Sequence, residues 1–95
     1  MVIGSLRLTL RLHGCSSLKE KRRPRRMLTD RIRNKFGVAV AEVDDQDVWN
    51  QLVLGVAAVG PDRGPVERTL SDVAEFVEET GVGELLADVV RIDRV

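Results

Sequence analysis

Residues 2–12 read VIGSLRLTLRL. Val2, Leu6, Leu8, Leu10 and Leu12 share one parity with Gly4, while Ser5, Arg7, Thr9 and Arg11, followed by His13, share the other. A period of two marks a strand with one face in a core and one in water. The wet face carries two arginines. The leucine face needs a second layer, and the flanking segments have the periodicity to supply it.

On the C-terminal side of this strand, His13-Gly14-Cys15-Ser16 reads as a turn, with Gly14 free to adopt positive φ. Ser17-Leu-Lys-Glu20 matches a capping box, in which Ser17 accepts from the amide of position 20. Pro24 then has no amide to offer the Glu20 carbonyl and biases Arg23 away from helical angles. Either a helix kinks there, or residues 18–22 form a separate turn and Pro24 opens the main helix. Beyond it Leu28, Ile32 and Phe36 recur at four-residue spacing with Met27 beside them, and Gly37 ends the helix. Residues 38–43 (VAVAEV) read as a short strand and 44–47 (DDQD) as a polar turn. Residues 52–59 (LVLGVAAV) are apolar on both parities, the pattern of a central strand covered on both faces. Trp49 or a partner subunit would supply the second cover. After a loop at 60–64, Pro65 stands as a first helical residue. Val66, Leu70, Val73, Ala74 and Val77 form a helical stripe that Gly81 stops. Residues 85–94 (LLADVVRIDR) read as a last strand.

The order strand, helix, strand, strand, helix, strand is most economically closed as one antiparallel sheet with both helices on one face. This predicts an α+β, ferredoxin-like βαββαβ domain over residues 1–95, with strand order 4-1-3-2. The apolar third strand suits a central place.

Three segments resemble the YlxP-like family of small bacterial proteins of unassigned function: SLKEKRR at 17–23, RIRNKFGVAVAEVD at 31–44 and DVWNQLVLGVA at 47–57. The resemblance spans nearly the whole chain and implies a ferredoxin-like fold. Genes of such proteins often neighbour genes for translation initiation and ribosome maturation, which implies a link to RNA and nothing about an activity. Pro24 departs from the apolar helical residue expected there.

Charge is unevenly placed. Residues 1–36 hold eleven Lys/Arg and two Asp/Glu, and residues 37–95 hold four and thirteen, so a net charge of zero conceals +9 and −9. Residues 16–36 (SSLKEKRRPRRMLTDRIRNKF) carry most of the positive charge. Within them Lys19, Lys21, Arg22, Arg23, Arg25 and Arg26 are candidates for gripping phosphates, which attract Lys and Arg regardless of base sequence. If all six met a phosphate, raising salt from ~50 to ~200 mM would weaken binding about 10³-fold. The competing reading is a solvated helix face neutralised by the acidic second helix or by another copy. The strand face of Ser5, Arg7, Thr9, Arg11 and His13 lacks the aromatics that stack bases on sheets of this topology. Arg7 and Arg11 either extend the basic surface or pair with Asp88, Asp93 or a partner's acids.

Other chemistry is poorly supported. Alternation places Glu42 and Asp44 on one side of their strand, but Glu42, Asp44, Asp45 and Asp47 match no cation-binding loop; a salt bridge to the basic segment is the favoured reading, and no metal or other cofactor is expected. His13 and Cys15 lack an orienting third group. No phosphate-binding glycine loop and no nucleophile–base set emerges, so no small-molecule substrate is identified and no enzymatic activity is expected. Trp49 reads as a core or dimer-interface anchor. The single cysteine, the absence of any apolar run near ~20 residues and the lack of a signal-peptide pattern suggest a cytoplasmic protein. The functional expectation is a non-enzymatic domain that binds RNA or a ribosomal particle through its basic turn and helix start. The alternative is a homodimeric or other homo-oligomeric interaction module with no nucleic-acid role.

Overall fold

A computed structural model describes all 95 residues, Met1–Val95. The elements are β1 (Val2–Leu12), α1 (Leu18–Phe36), β2 (Ala39–Asp44), β3 (Gln51–Gly60), α2 (Arg63–Thr80) and β4 (Gly83–Arg94). Every adjacent pair in the sheet is antiparallel and the order is β2-β3-β1-β4, which is the expected ferredoxin-like order read from the other edge. Both helices cover one face.

The alternation in β1 becomes an alternation of burial. Leu6, Leu8, Leu10 and Leu12 are buried while Ile3, Ser5, Arg7 and Arg11 are exposed. The inner leucines meet Leu52, Leu54 and Val56 of β3, Leu28 and Ile32 of α1, and Val66, Leu70, Val73 and Val77 of α2 in one apolar cluster. Burying each such side chain is worth roughly 1.5–3 kcal/mol, so the leucine face of β1 anchors the whole domain. Gly4 sets how closely α2 and β4 approach. A Cβ there would stand 2.6 Å from Val66 Cγ1 and 2.8 Å from Leu70 Cδ1. Gly4→Val is expected to destabilise the fold by about 1–3 kcal/mol through overpacking, seen as a lower urea midpoint.

Local signals explain the helix limits. Ser17 Oγ accepts from the Glu20 amide at 3.1 Å, and the Glu20 carboxylate reaches back to the Ser16 amide at 3.1 Å, one residue earlier than the standard capping box. Gly37, at φ 63, closes α1 by donating to the Arg33 carbonyl at 3.0 Å. Pro24 lies inside α1 and does not divide it: residues 18–22 are the first turns of the same helix. Tertiary contacts on both sides of Pro24, made by Lys21 and by Leu28 and Ile32, hold the segment helical despite the missing hydrogen bond. α2 begins at Arg63 rather than at Pro65. Pro65 is its third residue, where the lost amide has no intrahelical acceptor in any case.

Two irregularities redirect side chains. The β1–β4 register shifts between Thr9 and Leu10, and the β2–β3 register shifts between Glu42 and Asp44. The second shift overturns the expectation that Glu42 and Asp44 share a side. Glu42 stands opposite Leu54, on the helix-covered face, whereas Asp44 stands opposite Val53, on the other face. An extra residue in one strand of a pair produces this effect.

Candidate functional site

The six basic candidates divide between two faces of α1. Lys19, Arg22, Arg23 and Arg26 follow an i, i+3, i+4, i+7 spacing and therefore share one face. All four are exposed, and with Met27 and Asp30 they line a shallow groove along the helix. None of them takes part in an ion pair within the chain. Lys19 to Arg26 spans about 10 Å at the helical rise of ~1.5 Å per residue, about three phosphate-to-phosphate intervals of one nucleic-acid strand and so roughly four phosphates.

Lys21 and Arg25 do not belong to that surface. Lys21 is 1% exposed, on the same side of α1 as buried Leu28 and Ile32. Its ammonium donates to the carbonyls of Asp45 at 2.9 Å and Val48 at 2.8 Å, and stands 2.8 Å from Glu42 Oε2. The last approach lacks hydrogen-bond angles, so this buried oxygen is compensated by charge alone. The other carboxylate oxygen of Glu42 takes Arg25 Nη1 at 3.4 Å. Lys21 thus pins the β2–β3 turn to the start of α1, and it is removed from any phosphate-binding role. Arg25 is half committed to the same carboxylate.

The acidic turn that faces this helix start is likewise consumed. Asp44 Oδ2 accepts from Arg7 Nη2 at 2.7 Å, and Asp45 Oδ2 accepts from Gln51 Nε2 at 2.6 Å. Arg7 therefore pairs neither with Asp88 nor with Asp93, because the shift in β2 carries Asp44 onto its face. The Arg7 hydrogen bond, with help from the Asp45 amide, lowers the Asp44 pKa below its ordinary value of 3.8. A carboxylate with a depressed folded pKa adds stability above the unfolded value and loses it as pH falls through the folded one. Acid unfolding below about pH 4 should therefore be steeper in the wild type than in Arg7→Ala, and circular dichroism across pH 2–5 checks it. Asp44 is exposed, so the effect is small.

No ion pair joins α1 to the acidic α2. The helices meet instead through Phe36 and Phe76, whose rings lie edge to face with centroids 5.7 Å apart, and Lys35 Nζ sits 4.8 Å from the Phe76 ring centre. Trp49 lies in the β2–β3 turn, 45% exposed and outside the core cluster, with its carbonyl accepting from the Cys15 thiol at 3.0 Å. The second cover expected for β3 is incomplete: Val53 is buried, but Ala57 and Val59 of that strand are exposed. His13 is exposed, and the buried Cys15 donates only to backbone carbonyls. No helix is long and apolar enough to cross a membrane.

Residues 3–89 match the family model described as "Protein of unknown function (DUF503)". The chain is 34% identical over 77 residues to the uncharacterized protein YlxP of Bacillus subtilis (strain 168), an alignment covering 81% of this chain and 84% of that protein.

Proposed function

The chain belongs to the DUF503 family, and from its geometry we propose that it binds RNA, free or within a ribosomal particle, through the phosphate backbone and without catalysing a reaction. The observation that carries this reading is the stripe of Lys19, Arg22, Arg23 and Arg26, exposed together on one helix face with no carboxylate bonded to any of them. Uncompensated like charges at this spacing weaken an isolated helix. Their neighbours Lys21 and Arg25 are answered by Glu42, so the chain has the means to neutralise this helix and leaves one face of it bare. Three of the four are arginines, whose planar fork takes two phosphate oxygens at once. Recognition is of backbone and shape: the stripe holds no aromatic to stack a base.

Affinity capture of the tagged protein from cells, with and without nuclease, tests the reading. RNA or ribosomal particles should co-purify and be lost on nuclease treatment. Recovery of nothing but nuclease-insensitive material would refute it.

A further inference from the structure

We propose that the sheet face turned away from the helices is an interface with a second copy of this chain. The inference goes beyond the RNA reading and does not depend on it. Strand register fixes what the face displays, because residues opposite one another across a sheet point the same way. Four successive rows across the strands run Val59–Ile3–Asp93, Ala39–Ala57–Ser5–Arg91, Ala41–Gly55–Arg7–Val89 and Asp44–Val53–Thr9–Ala87. A fifth holds Gln51, Arg11 and Glu84.

Away from the Arg7–Asp44 pair the face is mostly apolar and small, and it is open. Val59 is 66% exposed, Val89 55% and Ile3 37%, and Ala39, Ala41 and Ala57 are exposed beside them. Val43, displaced by the irregularity in β2, fills the space over Gly55, where a Cβ would stand 2.7 Å from its Cγ1. The Arg7–Asp44 pair spans β3 from one side to the other at the level of Gly55 and Val53. What remains on the face is a shallow, open concavity of about 420 Å³ among Ser5, Arg7, Ala39, Ala41, Val43 and Ala57. The one charge at the centre, Arg7, is already paired, and the other charges lie toward the margins, which is compatible with the apolar core and polar rim of a protein interface.

Charge and area choose the occupant. Arg7, Arg11 and Arg91 on this face are balanced by Asp44, Glu84 and Asp93, with Arg11 directly opposite Glu84. A neutral face of mixed sign does not attract a polyanion, but it is compatible with its own copy, since a two-fold axis sets each charge against a surface holding both signs. Four strands at ~4.8 Å spacing and five rows at ~6.7 Å give roughly 600 Å² in projection, and accessible area exceeds projection. That approaches the ~800 Å² per partner that a stable interface buries. The small side chains of Ala39, Ala41 and Ala57 permit the ~10 Å approach of two stacked sheets.

Sedimentation equilibrium between about 1 and 100 µM tests this directly. The wild type should be a dimer. Val59→Glu, at a site exposed in the monomer, should raise the dimer Kd by about 100-fold or more, because each interface would bury two uncompensated carboxylates. Ala57→Arg should act in the same way, and both variants should keep the thermal midpoint of the monomeric fold. Arg22→Ala/Arg23→Ala should leave dimerisation unchanged. A monomer throughout the range, a dimer indifferent to Val59→Glu and Ala57→Arg, or one broken by the α1 substitutions would each overturn the proposal.

Discussion

Lys21→Met should cost about 3 kcal/mol of folding stability. The substitution keeps the aliphatic volume and removes the ammonium, which leaves the buried Glu42 carboxylate with Arg25 alone, at 3.4 Å. It also strips the Asp45 and Val48 carbonyls of their donor. Breaking one side of a buried ion pair typically costs about 3–5 kcal/mol, and the remaining arginine places this case at the lower end. Against a total stability of ~5–15 kcal/mol the loss is large, and for a chain this short it corresponds to a fall in Tm of roughly 12–24 °C. Urea and thermal unfolding measure it. Lys21→Met/Glu42→Leu should recover much of the loss, because the desolvated charge then goes with its partner. Wild-type stability in the single variant would mean that Glu42 is compensated by other means.

Arg22→Ala/Arg23→Ala/Arg26→Ala should weaken RNA binding by about 100-fold at ~0.1 M salt, since three counterion-releasing contacts are lost. These side chains are exposed, so the fold should be unaffected within about 0.5 kcal/mol. Arg25→Ala should change RNA affinity little and stability modestly, as its guanidinium serves Glu42. Filter binding with each variant separates the two roles within one short run of sequence. Equal losses from Arg25→Ala and from the triple variant would contradict the division of α1 into two faces.

The fold was largely legible because its signals are local and mutually consistent: the strict alternation of β1, the stripes at Leu28–Ile32 and Val66–Val77, and the stop glycines. The site was only half legible. Lys21, Arg25, Leu28 and Ile32 fall at i, i+4, i+7 and i+11, the phase of the buried stripe, so the helical period held the information that position 21 faces inward. The chemistry of lysine argued the other way, and only the Glu42 carboxylate and two turn carbonyls make its burial tolerable. Those partners are more than twenty residues distant in sequence or depend on the turn's geometry. The Arg7–Asp44 pair was hidden for a similar reason. It needs the irregularity in β2, and alternation carries no sign of an inserted residue. Pro24 shows tertiary contacts overriding a local helix-breaking signal, since the helix it interrupts is held by side chains on both sides of it.

The most direct test of the central claim is the slope of log K for RNA against log salt concentration. Four phosphate contacts predict a slope of about −2.8 for single strands to about −3.6 for a duplex, a loss of about 50–150-fold between ~50 and ~200 mM. A slope near zero, or no retention of RNA at low salt, would contradict the claim that the bare face of α1 grips a phosphate backbone. A slope of about −4.2 or steeper would contradict its confinement to Lys19, Arg22, Arg23 and Arg26.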